Sequence, residues 1–551
     1  MSQPEQLPAP RAKTVLYRNG SVYTAADPFA TAMVVDGGTV AWVGSEQAAT
    51  SIADSSMEII DLRGALVAPG FMDSHIHLTE TGIALDSLQL GGVRSARELL
   101  DAVAAVPGDG PVLGHGWDET TWQDSSLPTE DELERAAAGR AVYLSRVDVH
   151  SALISGPLAH AAGVRQLDGF DGGARVRRAA HTAARQATRR LPQEALKRHQ
   201  ARALSEAAAN GYVAVAEMGA PHIGGAEDLR LAGAWNSGAD GRAGVPEVLP
   251  YWGELASSEE HARSLLDQFG FAIRGLAGDL NIDGSVGSRT AALRTGYSDA
   301  PDEQGSLYLS VEEAAAHLAA CSLVGVQGGF HVIGDAGLDA ALAALELAAR
   351  EVGEQRVRAA GHRFEHVEMV DPAAIEMLSR YAVTVSVQPA FDAAWGNPGG
   401  LYERRLGERS RSMNPFASLY AAGVPVCFGS DSPVTPLRPW SSVRACLEHH
   451  NESERISARA AFLGHTRAGW RAARYADPMA GQLVPGAPAS FAVWEVEELM
   501  VQVADGRVQS WSTDPRARTP LLPALDTGTD PVCLQTVRNG VELYASPALR
   551  S

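Results

Sequence analysis

The stretch Ala65-Leu-Val-Ala-Pro-Gly-Phe-Met-Asp-Ser-His-Ile-His77 decides how this chain is read. An apolar run passes through Pro-Gly and ends on two histidines one residue apart. In an extended strand alternate side chains point the same way, so His75 and His77 would project together from the strand end and could grip one cation. A bare pair of this kind is also compatible with two ordinary polar loop residues, since neutral imidazoles serve in that way too. Company further along the chain decides between the two.

Working outward, short apolar runs alternate with alanine-rich helical patterns. Eight runs read as strands, at residues 65–77, 212–217, 246–251, 280–283, 324–332, 362–366, 383–388 and 424–428. Helical periodicity falls between most of them, for example at 196–210, 311–322 and 336–350. Strand-helix alternation predicts an α/β fold with a parallel sheet, and eight units predict a (β/α)₈ TIM barrel over residues 67–483. Residues 78–211, between the first two strands, are too many for a loop. They predict a subdomain, about 78–205, inserted after the first strand and lying over the barrel mouth. The two ends of the chain are different in character. Runs such as Thr14-Val-Leu-Tyr17, Ala32-Met-Val-Val-Asp36 and Ala489-Ser-Phe-Ala-Val-Trp494, with Asn19-Gly20, Gly37-Gly38 and Asn539-Gly540 between neighbours, are hairpin signals. They predict one small β-sandwich built from residues 13–66 and 484–547.

Composition narrows the class. The 551 residues are 45% hydrophobic and 20% charged, as in ordinary globular proteins with a large core. A formal net charge of −20 without a basic run argues against nucleic acid or an anionic membrane as partner. Cys321, Cys427, Cys446 and Cys533 lie far apart, which indicates neither a disulfide framework nor a zinc ribbon. A reducing compartment and an amino terminus without a basic-then-apolar segment lead to the expectation of a cytoplasmic protein.

Strand ends are where a barrel keeps its chemistry. The first predicted strand ends in His75 and His77, the fifth in Gly-Gly-Phe-His331, the sixth in Arg-Phe-Glu-His366 and the eighth in Phe-Gly-Ser-Asp431. Four histidines and one carboxylate on one rim form an N/O set suited to zinc, with manganese, iron or nickel as alternatives. Singly, His331 or His366 could be a core histidine and Asp431 could cap the turn before Ser432-Pro433. Jointly, that reading demands coincidence at four of eight strands.

These residues also carry a resemblance. The Pro-Gly-Phe-Met-Asp-Ser-His-Ile-His run is followed by Asp283-Gly-Ser-Val-Gly-Ser-Arg-Thr-Ala291, Phe330-His-Val-Ile-Gly-Asp335, Arg363-Phe-Glu-His366 and Gly429-Ser-Asp-Ser-Pro-Val434. Together they resemble the amidohydrolase superfamily. The similarity is greatest to its type-3 branch, which includes N-substituted formamide and N-acyl amide hydrolases, and runs from about Val15 to Tyr544. By position, it implies that His75, His77, His331, His366 and Asp431 form the metal site. One departure stands out. Many members bridge two metals with a carboxylated lysine at the fourth strand, where this chain has Asp279, and neither of its two lysines, Lys13 and Lys197, is suitably placed. Either a single metal is bound, or a pair is bridged by a carboxylate such as Glu217 at the end of the second strand. Glu217 could equally be a hydrogen-bond acceptor behind the site.

The expected reaction is hydrolysis of a non-peptide C–N bond, of amide or formamide type, by a water that the metal activates. Asp431 would take the water's proton and pass it to the leaving nitrogen, and His366 would ligate the metal or polarise the carbonyl. Trp117, Asp118, Arg146, His150, Asp283, Ser285 and Arg289 are expected at the mouth, where each could contact substrate or stabilise the insertion. The expected cofactor is Zn²⁺, one ion or two. The expected partner is a small-molecule substrate, with a homodimer as the assembly considered. Deamination of a cyclic amidine, and a non-catalytic relative that keeps only the fold, are the rival readings.

Overall fold

At Gly70 the opening stretch divides into two strands rather than one. Leu66–Pro69 runs antiparallel to Phe491–Glu495. Phe71–Ile76 (β1) instead pairs in parallel with Tyr212–Gly219 (β2). Only glycine fits at the division, because a Cβ there would lie 2.3 Å from Cγ1 of Val213. This computed structural model describes residues 13–237, 244–502, 511–512, 520–526 and 528–550.

The central strands continue with Glu247–Trp252 (β3), Gly275–Leu276 (β4), Gln327–Val332 (β5), Arg363–His366 (β6), Thr384–Val387 (β7) and Val426–Phe428 (β8). They form two parallel sheets, in the orders β3-β2-β1 and β4-β5-β6-β7-β8. Hydrogen bonds cross both seams between the sheets. Asp431 N donates to His75 O at 2.8 Å and His77 N to Ser432 O at 3.0 Å, while Arg274 N donates to Pro250 O at 2.8 Å. Helices cover the outside. Val311–Val324 begins with a capping box between Ser310 and Glu313 and ends at Gly325, whose φ of +83° suits glycine.

The fourth strand departs from expectation. The run Leu280-Asn-Ile-Asp283 was the expected strand, yet β4 is the short Gly275–Leu276 segment before it. Residues 280–283 still meet β5, since Ile282 N donates to His331 O and His331 N to Leu280 O. Their alternation reflects this half-paired edge, with Leu280 and Ile282 buried.

Residues 78–211 carry their own sheet, ordered Arg175–Arg177, Ser151–Ile154, Val142–Arg146, Val112–Trp117 and Leu88–Gln89. Its separate core includes Leu99, Val112, Trp117, Leu133 and Leu144. At the chain ends, a four-stranded sheet from residues 14–61 shares a core with a five-stranded sheet that joins both termini. Tyr17, Val35, Val67, Phe491 and Val537 lie in that core. Residues 503–510, 513–519 and 527 of the expected sandwich, and the amino-terminal segment read for targeting, lie outside the described residues. Among the described residues, no helix is long and apolar enough to cross a membrane.

Candidate metal centre

β1 delivers His75 and His77, β5 His331 and β6 His366, and Asp431 follows β8. All five are buried. A sixth residue, Asp279, lies among them. It follows β4 by three residues, so correcting that strand moves Asp279 from before a strand to the carboxyl-terminal side of one. Its Oδ1 is 3.5 Å from His75 Nε2 and 3.8 Å from His331 Nδ1, and its Oδ2 is 3.2 Å from His77 Nε2. Asp431 Oδ1 stands 3.4 Å from His75 Nε2 and 3.3 Å from His77 Nε2. Two groups, His75–His77–Asp431 and His75–Asp279–His366, each bring three ligand atoms within 4.8 Å of one another.

The ring orientations are held from behind. His75 Nδ1 is 2.9 Å from Glu365 Oε2, and Arg363 Nε donates to Glu365 Oε1 at 2.5 Å, all three side chains being fully buried. Arg363 also donates to the Ser74 carbonyl and to Ser386 Oγ. Donation from Nδ1 to Glu365 leaves Nε2 of His75 aimed at the two aspartates. His366 Nδ1 meets Gln388 Oε1 at 2.8 Å in the same way. Asp73 Oδ1 accepts from the backbone N–H of His75 and of Ser430, which ties the end of β1 to that of β8. His366 and Asp431 sit at φ of +71° and +53°, a region that non-glycine residues rarely occupy. Such strain gathers where side chains must be aimed.

Burial opposes charge on His75, His77 and His331, yet their neighbouring carboxylates outweigh it and raise all three above the ordinary range. Burial likewise opposes ionisation of Asp279 and Asp431, and the histidines pull both below the usual carboxylate range. His366 is different: burial, then His331, hold it down at about 3. The carboxylates and histidines thus favour each other's charged forms. Several ligand atoms await a partner, because His75 Nε2 and Asp279 Oδ1 are buried without a hydrogen bond. A divalent cation fits both observations, and the nitrogen and oxygen donors suit zinc-type ions.

Glu217 is placed otherwise. Its Oε2 accepts from Leu78 N at 2.7 Å, behind the centre and at the start of the helix Leu78–Asp86. Of the residues expected at the mouth, His150 and Ser285 line a cavity beside His331, His366 and Asp431, together with Asp148, Glu368, Phe391 and Tyr402. His150 lies 5.0 Å from His331, ring to ring. Trp117 is buried in the insertion and donates to Leu144 O. Asp118 and Arg146 pair with each other at 2.7 Å, and Arg146 also binds Glu119 and Asp148. Asp283 is taken up by the backbone N–H groups of Ala292, Ile333 and Gly334. Arg289 pairs with Asp299 at 2.8 Å and does not line the cavity. None of these five lines that cavity, and each has hydrogen-bond or ion-pair partners within the protein.

Sequence reading missed Glu365, Arg363 and Gln388 as supports, and His222, which follows β2 near Asp279 and His77. Burial lowers His222 to about 4. A third group, Asp392–His449–His450, also brings three ligand atoms within 4.8 Å of one another. There both nitrogens of each imidazole already have protein partners: Asn451 O and Asn414 O for His449, Asp392 and Ser410 O for His450.

The model of the amidohydrolase family matches residues 58–544. Protein LONG AFTER FAR-RED 3 of Arabidopsis thaliana is 26% identical over 527 residues, covering 88% of each chain. The N-substituted formamide deformylase of Arthrobacter pascens is 22% identical over 460 residues, which is 78% of this chain and 83% of that one. The crystal structure of an uncharacterized metal-dependent hydrolase from Pyrococcus horikoshii superposes with a TM-score of 0.69 at 25% identity, covering 88% of this chain and 98% of the other. A match of that extent, on a chain whose strand ends gather this donor set, settles the family: the protein belongs to the amidohydrolases.

Proposed function

We propose that this chain is a metal-dependent hydrolase of a non-peptide C–N bond of amide or formamide type. The observation that carries the reading is the convergence of His75, His77, His331, His366, Asp279 and Asp431 at one end of the parallel strands, with buried ligand atoms lacking partners. We read the eight strands as one closed (β/α)₈ barrel over residues 67–483, because hydrogen bonds cross both seams. The segment 78–205 is an insertion over its mouth, and 13–66 with 484–547 form the terminal sandwich.

Zinc is the proposed ion, either one or a pair, and Asp279 would be among the residues that hold it. Bound there, it would supply Lewis acidity that polarises a substrate oxygen and makes water acidic enough to attack at neutral pH. His75, His77, His331, His366, Asp279 and Asp431 would hold it. Asp431, within 3.4 Å of two of those histidines, accepts the attacking water's proton and returns it to the leaving nitrogen. His366, neutral and engaged through Nδ1 with Gln388 Oε1, would present its unprotonated Nε2 to complete the donor set. His150 closes the wall that the insertion contributes. Glu217 stays behind the site as an acceptor for the Leu78 N–H.

Asp431→Asn should lower kcat by about 10² to 10⁴-fold on any amide the enzyme turns over, with metal still bound. Kinetics and elemental analysis on the same preparation check this, and undiminished turnover would remove Asp431 from the proton route.

A further inference from the structure

One buried cation near the metal centre has no anion. The insertion's helix Arg178–Thr188 carries His181 and Arg185 one turn apart, with Arg189 a turn further on the same face. Arg189 donates to both oxygens of Glu80, at 2.7 Å from Nε and 2.6 Å from Nη2, and Glu80 follows His77 by less than one helical turn. His181 Nε2 is 2.8 Å from the Tyr143 hydroxyl. Arg185, only 9% exposed, forms no ion pair with any described residue. Its Nε is buried without a hydrogen-bond partner, and the polar group its guanidinium faces is the Tyr143 hydroxyl. Other arginines of the insertion are matched by acids: Arg146 by Asp118, Arg177 by Glu303 and Arg178 by Asp168.

His222 joins this cation to the metal centre. Apart from its own burial, the groups that act on it are Asp279, then Arg185, His77 and His331. The Asp279 side chain is 14% exposed while that of His75 is fully buried, so solvent reaches the centre on the flank that His222 shares with Arg185. A guanidinium stays charged at any working pH, and burying one without an acid is costly. We propose that Arg185 is the recognition residue for a carboxylate carried by the substrate, entering on the His222 flank with its scissile C–N bond at the metal end. The inference rests on the hydrolase reading and narrows it to substrates with an anionic group remote from the bond that is cut. The planar fork of the guanidinium matches the two oxygens of a carboxylate. A neutral analogue would leave the buried cation unpaired, which is how a site built for a polar group rejects a ligand lacking it.

Arg185 could instead be no more than a brace for Tyr143. Stability separates the two roles, since losing a brace weakens the fold whereas losing a buried cation that pairs with no acid should not. The test is calorimetric titration of the zinc-loaded protein with acetamidoacetate, 3-acetamidopropanoate and 4-acetamidobutanoate, each against its neutral carboxamide. Three lengths sample the span from the metal to Arg185. At least one carboxylate should bind about tenfold or more tightly than its carboxamide. In Arg185→Gln that preference should vanish while metal content and the urea midpoint are kept. Absence of preference in the wild type overturns the proposal. A preference undiminished in Arg185→Gln does so too, and is the result expected if the carboxylate binds the metal instead. A variant that fails to fold, or unfolds at lower urea, would make Arg185 a brace and overturn it as well. Any probe that is hydrolysed is compared by KM. Whether hydrolysis occurs at all reports on the hydrolase reading, separately from the carboxylate preference.

Discussion

Glu217 is fully enclosed at the end of β2, and burial lifts its carboxyl from 4.5 to about 8, although His77 and the Leu78 N–H pull the other way. At pH 7 the folded form is therefore the neutral acid, while in the unfolded chain the group ionises near its ordinary value. With the folded value above the unfolded one, the stability it contributes is present at low pH and is lost as pH rises through about 8. Metal-free protein should lose on the order of 1 kcal/mol from this group between pH 7 and pH 9. Glu217→Gln should remove that part of the dependence, as denaturant titrations at the two pH values would show. Equal pH dependence in both proteins would mean that Glu217 is ionised in the fold. The sequence placed Glu217 at a strand end but could not say which partner it meets, because the Leu78 N–H is brought to it by the turn after His77. Asp279 was legible as the residue standing where a lysine was expected. Its reach to His75, His77 and His331 was hidden by the misplaced fourth strand.

Among the elements, Phe491–Glu495 joins the terminal sheet to the central strands. Trp494 is 2% exposed and packs edge-on against Phe71 at 5.7 Å and Trp440 at 5.5 Å. Trp494→Ala should cost about 3–5 kcal/mol in a urea titration while leaving metal content intact, and a loss below about 1 kcal/mol would show that the terminal sheet carries little of the fold's stability. Helices such as Val311–Val324 were readable to within a few residues, because caps and periodicity are local. The strand β4 was not, since two residues set by their neighbours have no periodicity to read. The division at Gly70 was equally silent: Pro-Gly marked a break, but the separate partners of its two halves lie far off in sequence.

For the whole molecule, the α/β order was legible in the alternation of strand and helix, and the terminal sheets in the β-rich ends. Docking of the insertion was not. It depends on Arg146 and Arg405 sharing Glu119, an arrangement between segments more than 250 residues apart. What every level of the molecule converges on is the cation-seeking cluster at the strand ends. Elemental analysis of wild-type protein, His75→Ala and Asp279→Ala, each purified without added metal and again after reconstitution with zinc, tests it directly. The account predicts about one or two transition-metal ions per chain in the wild type and a clear loss in both variants, each still folded by circular dichroism. No metal in the reconstituted wild type, or full metal content in both variants, would contradict it.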